Sequence, residues 1–206
     1  GVQTCALPIW VSEPGSSVNL SVALQPKAPF RVDRFHYNAF IALTCLDFLS
    51  DFSPGGFSLK WPNDLYWGDK KIGGILTENI ISAGEWAWAV TGIGLNINQS
   101  AFPEGLAGAV SLKMATGLPH DPEELARQLH KLILLRMEEK IDVEKIMKRF
   151  NANLYKKGQS VKLKKGTIAF NTTISGVDEY GRLITEDAVE RFFSVGEVEW
   201  MPASTE

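Results

Sequence analysis

Apolar and polar positions alternate from Val18 to Leu24, the period of a half-buried strand. Turn-forming Glu13-Pro14-Gly15-Ser16-Ser17 precedes it, and Pro26 and Pro29 break it. From Phe35 to Phe52 the chain is apolar without glycine or proline. Phe40, Ile41, Leu43, Cys45, Leu46, Phe48 and Leu49 would cover most of a helical surface there, which predicts a buried helix. Ser53-Pro54-Gly55-Gly56 ends it. Phe57 to Trp61 reads as a short strand, resumed at Leu65-Tyr66-Trp67 after Pro62-Asn63-Asp64, with Gly68-Asp69 as a tight hairpin turn. Lys71 to Ser82 and Trp86 to Ile97, joined by Ala83-Gly84-Glu85, are long strands, and the three together predict an antiparallel meander.

Asp121-Pro122-Glu123-Glu124 is a helix start: a capping acid, proline at the first turn, and glutamate three positions on. That helix runs to about Lys140, and a second, Asp142 to Tyr155, puts Val143, Ile146, Met147, Phe150 and Leu154 on one face. After Lys157-Gly158, short strand-like segments alternate with Gly166, Asp178-Glu179-Tyr180-Gly181 and Gly196, the texture of a small β-barrel.

With 206 residues, 45% apolar and 22% charged, the chain has the composition of a soluble globular protein with room for a second small domain. A net charge of −3 carries no nucleic-acid footprint, and Lys156, Lys157, Lys162, Lys164 and Lys165 read as a solvated face. No apolar run approaches the roughly 20 residues needed to span a bilayer. Cys5 and Cys45 are too few for a disulfide scaffold or a zinc site, so a cytoplasmic location is expected. Residues 1–9 equal the translation of one frame of a widely used sequencing-library adapter. We expect them to be an artefact, with native sequence beginning near Trp10.

Three segments carry candidate chemistry. In Lys60-Trp61-Pro62-Asn63-Asp64, proline cannot donate to a ladder, so Asn63 and Asp64 sit at an irregular point. An ordinary bulge with Asn-Asp as turn residues accounts for that stretch equally well. Lys71 precedes Gly73-Gly74, and a glycine pair inside a strand marks close approach by a ligand or another backbone. By simple alternation Lys71 shares a face with Gly73, and its ammonium would neutralise phosphate charge over the glycines. In Gly92-Ile93-Gly94-Leu95-Asn96, a strand ends in an amide suited to a purine edge. Each alone is weak. His36, His120 and His130 lack metal-site spacing, so no metal ligand is assigned; Cys45 and the pair Trp86 and Trp88 read as packing residues.

In order, however, the three segments resemble biotin protein ligases: lysine-tryptophan-proline-asparagine-aspartate, then Lys71 to Glu78, then Gly92 to Asn96. The resemblance implies an α+β fold: a mixed or antiparallel sheet packed with helices, class II synthetase-like, over residues 10–156, and an SH3-like β-barrel over 157–206. It implies ATP, biotin and Mg²⁺, with biotinyl-5′-adenylate formed and then passed to a lysine of a biotin carboxyl carrier domain. Lys71 would be the catalytic lysine, with Asp64 positioning the acceptor lysine or the metal. Asn63 would meet the phosphates, Asn96 the adenine, Gly73 and Gly74 the biotin and its linkage, and Trp10 would pack near the adenine. No nucleic acid or membrane is expected as a partner, and a homodimer is left open. The family's glycine/arginine-rich loop should lie just before Trp10 and has no counterpart here, so the chain as written is expected to ligate little. Related lipoate-attaching enzymes, or a non-catalytic binding module, are the competing readings.

Overall fold

The computed structural model describes residues 13–30, 33–53 and 55–201. Strand β1 (Ser17–Leu24) is followed by helix α1 (Arg34–Ser50), then by strands β2 (Phe57–Lys60), β3 (Asp64–Trp67), β4 (Lys70–Ser82) and β5 (Glu85–Asn96). These strands form one antiparallel sheet in the order β1-β5-β4-β3-β2. The expected meander therefore has four strands, and β1 closes its far side along β5. Sequence patterning missed two short pieces that come next, a 3₁₀ turn (Glu104–Leu106) and helix α2 (Leu112–Thr116). A readable signal existed for α2: Ser111 caps it by accepting from Met114 N, and Gly117 ends it at φ 79°.

Helix α1 has no polar stripe because it is covered on nearly every side, and Tyr37, Ile41, Cys45 and Leu49 are each 1% exposed or less. Asp33 caps it, accepting from Phe35 N at 2.6 Å. Helices α3 (Pro122–Met137) and α4 (Val143–Ala152) pack against it, α3 capped by Asp121 as its sequence predicts and α4 by Asp142. Asp47 ties the three together, ion-paired to Arg136 at 2.6 Å and Arg149 at 2.7 Å. The core face of the sheet presents Leu59, Leu65, Ile75, Ile93 and Leu95 to these helices. Burial pushes the Cys45 thiol up to about 12, in keeping with a core residue. Trp86 packs edge-on against Tyr37, whereas Trp88 is 40% exposed, so packing accounts for only one of the pair.

Strands β6 (Ser160–Lys165), β7 (Ile168–Val177), β8 (Leu183–Glu186), β9 (Glu190–Phe193) and β10 (Glu199–Trp200) form a second antiparallel sheet in the order β10-β6-β7-β8-β9. The described pairings leave β10 and β9 at opposite edges, so this sheet is open where a closed barrel was expected. It is firmly attached to the rest. Leu59 N donates to Asn153 O and Tyr155 N to Leu59 O, so the connecting segment runs beside β2. Asn151 holds both backbone groups of Val177, at 2.7 and 2.8 Å. No helix among the described residues is long and apolar enough to cross a membrane.

Candidate functional site

The β2–β3 turn is held from both sides. Trp61, 2% exposed, donates its indole N–H to Gly181 O at 2.9 Å, and its peptide bond to Pro62 is cis. Asn63 donates its amide to Ile75 O at 2.6 Å, and its own carbonyl accepts from Ile75 N at 3.0 Å. Both groups of Asn63 thus staple the turn onto β4, and Asp64 is delivered directly opposite Gly74.

A bulge in β4 decides what faces Asp64. Leu65 pairs with Gly73 and Tyr66 with Lys71, so Ile72 is the extra residue and the alternation inverts there. Lys71 therefore shares a face with Gly74, and the expected pairing of Lys71 with Gly73 does not occur. A Cβ at Gly74 would lie 3.2 Å from Asp64 Oδ1 and 3.4 Å from Lys71 Nζ. A Cβ at Gly73 would point the other way, 2.6 Å from Leu95 Cδ2 and 2.7 Å from Gly94 O. Gly74 keeps the backbone bare at the charged pair, while Gly73 permits close packing in the core.

Lys71 Nζ lies 2.6 Å from Asp64 Oδ1, with their side chains 40% and 26% exposed. Across the sheet Asp64 pairs with Gly74, Gly74 with Gly94, and Gly94 with Asn19, while Gly92 sits two residues from Gly94 on the same face. Gly74, Gly94 and Gly92 thus form a strip without side chains beside one ammonium and one carboxylate. The three segments singled out in the sequence meet on this face.

Asn96 is also on it, 4% exposed, but its amide has protein partners. It donates to Val110 O at 3.2 Å and accepts from Gln99 Nε2 at 3.4 Å. The segment it holds flanks the lysine: Lys71 N donates to Gly108 O at 2.8 Å and Val110 N to Lys71 O at 2.9 Å. Ser111 and Ser17 anchor Gln99 in turn, at 2.6 and 2.7 Å. Sequence reasoning missed Gln99, Ser111 and Gly108–Val110, since nothing local announces a segment nearly forty residues downstream of Lys71. Trp10 lies outside the described residues.

A second lysine occupies the same face. Lys60 is the cross-strand partner of Asp64, yet Asp64 is ion-paired to Lys71 instead. The Lys60 ammonium donates to Tyr66 Oη at 2.9 Å and lies 4.8 Å from the Tyr66 ring centre, 5.0 Å from that of Trp200 and 5.9 Å from that of Tyr155. Burial holds its pKa below the ordinary lysine value, Asp64 opposing that shift and Lys71 adding to it.

A bare backbone strip beside a lysine–carboxylate pair leaves room for a ligand to lie flat against the β-strands. Residues 8–96 match the Biotin/lipoate A/B protein ligase family. Over 112 residues the chain is 31% identical to the "Bifunctional ligase/repressor BirA" of Bacillus subtilis, covering 53% of this chain and 34% of that protein. It is 28% identical to the "Biotin--[acetyl-CoA-carboxylase] ligase" of Paracoccus denitrificans over 134 residues, 62% of this chain and 55% of the relative. The matches thus span from a third to about half the length of these relatives. Among solved structures, the biotin protein ligase from Aquifex aeolicus in complex with biotin and ATP superposes with a TM-score of 0.75 at 26% identity, over 93% of this chain and 82% of that one.

Proposed function

We propose that this chain is the catalytic part of a biotin protein ligase, which activates biotin with ATP and passes it to a lysine of a biotin carboxyl carrier domain. The observation that carries the reading is the Lys71–Asp64 pair at 2.6 Å over Gly74, whose missing side chain keeps that spot open. In the first step the biotin carboxylate oxygen bonds to the α-phosphorus, and the bond from that phosphorus to the bridging oxygen breaks, releasing pyrophosphate. In the second the carrier amine bonds to the acyl carbon and AMP leaves with the acyl–oxygen electron pair. Neither step needs a protein nucleophile; both need positioning and charge neutralisation.

Lys71 faces the developing charge on the phosphate and the carboxyl oxygen, and Asp64 fixes the lysine and positions the incoming amine. Gly74 and Gly94 form the bed for the acyl–phosphate linkage, and Gly73 lets that bed pack on the core. Asn63 holds the turn beside the phosphates, and Asn96 borders the bed on the side assigned to the adenine. Mg²⁺ is commonly held by one or two carboxylates and substrate phosphates, and Asp64 suits it; when bound it would supply charge neutralisation at the phosphates. The C-terminal domain, residues 157–206, is read as an SH3-like module whose sheet, from Ser160 to Trp200, packs on the site hairpin, and the enzyme as cytoplasmic. Homodimerisation is left to measurement.

The test is biotin-dependent ATP–pyrophosphate exchange, and transfer of labelled biotin to a carrier domain, by the complete gene product. Transfer abolished by Lys71→Ala supports the reading. Transfer of labelled lipoate in place of biotin, or no exchange at all, overturns it.

A further inference from the structure

Lys60 is expensive to keep where it is. Its ammonium is half-buried and has no carboxylate within ion-pairing distance among the described residues, and three aromatic rings take the place of a counter-ion. The one carboxylate opposite it in register is engaged by Lys71. Around Asp64 this face therefore sets two ammonium groups against one carboxylate, Glu78 lying farther along β4 on the same side. Among the described residues, only one of the three N–H donors of Lys60 is used, on Tyr66 Oη.

The box is built from distant parts of the chain. Tyr66 comes from β3, Tyr155 from the segment after α4, and Trp200 from β10, the Tyr155 ring centre lying 4.7 Å from that of Tyr66 and 5.9 Å from that of Trp200, tilted against both. Tyr155 is itself anchored, donating to Asp69 at 2.9 Å, and Lys156 pairs with the same carboxylate at 2.7 Å. An aliphatic residue would fill such a box at less cost than a charge. A charge held there by rings, with donors to spare, is suited to binding an anion.

We propose that Lys60 is a second anion-binding group of this site, taking the distal phosphates of a nucleoside triphosphate and the pyrophosphate that leaves. The inference rests on the adenylate-forming reading above. Lys60, Asp64, Gly74 and Gly94 form one cross-strand row, which puts Lys60 two strand spacings, about 10 Å, from the glycine bed. A triphosphate with its α-phosphate at Lys71 would extend along that row, past Asp64, towards the aromatic box. Pyrophosphate leaving the reaction centre would thus depart along a path with a fixed cation at its end.

The probes are inorganic pyrophosphate, ATP and biotin, each titrated calorimetrically into the 206-residue chain and its variants. Lys60→Met leaves an unbranched apolar side chain in the box and removes the charge, and Lys60→Arg keeps the charge. We expect Lys60→Met to weaken pyrophosphate and ATP at least ~10-fold, the loss of one charge-assisted hydrogen bond. Biotin affinity should stay in place and that variant should unfold no earlier than the parent, and Lys60→Arg should restore most of the phosphate affinity. A merely structural lysine would move biotin and phosphates together. A folded Lys60→Met chain that binds pyrophosphate as tightly as the parent overturns the inference and leaves the proposed function standing. A parent chain that binds neither ATP nor pyrophosphate sinks the inference, whereas loss of biotin transfer is what sinks the function.

Discussion

Trp61 and Gly181, 120 positions apart, are joined by a hydrogen bond of 2.9 Å from the buried indole N–H to the glycine carbonyl. Through it the turn that presents Asn63 and Asp64 is fastened to the β7–β8 turn of the C-terminal sheet. That turn is itself seated on α1: His36 Nε2 lies 2.9 Å from Glu179 O, and a Cβ on Gly181 would come within 2.3 Å of Phe35.

Trp61→Phe should therefore cost about 1–3 kcal/mol of stability, because it leaves the Gly181 carbonyl buried without its donor. Gly181→Ala should be worse, since φ is +75° and the new methyl meets the Phe35 ring. Urea unfolding of both variants measures this. If Gly181→Ala unfolds at the parent midpoint, the two turns are not fastened as described.

The paired glycines of β4 should separate cleanly. Gly73→Ala adds a methyl against Leu95 and the backbone of Gly94, so stability should fall by about 1–3 kcal/mol through overpacking. Gly74→Ala meets the ends of Asp64 and Lys71, at 3.2 and 3.4 Å, and these can shift. Its unfolding midpoint should stay close to the parent's while ATP and biotin affinities drop. The reverse pattern in paired unfolding and binding measurements would contradict the bulge at Ile72.

Lys71→Ala and Asp64→Asn both dismantle the ion pair at the glycine bed. Removing one preorganised charge of this kind from a reaction centre costs about 10²–10³-fold in rate. Single-turnover formation of the adenylate in the complete gene product should slow by that order for Lys71→Ala. Little change in stability should accompany it, since the pair is partly exposed and such pairs contribute about 0–1 kcal/mol.

Lys60 should make stability depend on pH in the alkaline range. Burial lowers its pKa in the folded chain below the ordinary 10.5, so the unfolded chain binds that proton more tightly. The folded state carries the full penalty at neutral pH, and the penalty is relieved as pH rises from the folded value towards 10.5. Lys60→Met should thus be more stable than the parent at pH 7, with the difference shrinking towards pH 10. A difference that grows with pH would reverse the assigned sign.

Much of this architecture can be read along the chain because its causes are local. Alternation from Val18 to Leu24, the cap-and-proline start at Asp121, and the Gly68-Asp69 turn each depend on residues within a few positions of one another. The hairpin signals around Pro62 and the glycine pair also marked the segments that meet at the site. The amino-acid order thus determined most of the strands and helices and marked Asn63, Asp64, Lys71 and the glycine pair. The helix at Leu112–Thr116 and the segment Gly108–Val110 went unread.

What only the folded chain decided is which face each of those residues occupies and what touches it. One extra residue at Ile72 inverts the alternation, so Lys71 joins Gly74 and Asp64 while Gly73 turns inward. No local pattern announces a bulge of that kind, because it is set by the register of two neighbouring strands. Likewise Asn96 finds Val110, and Lys60 is boxed by Tyr155 and Trp200, through contacts spanning 14 to 140 positions. Such contacts are chosen by packing and burial, which act between surfaces brought together by the whole fold and leave no period in the sequence.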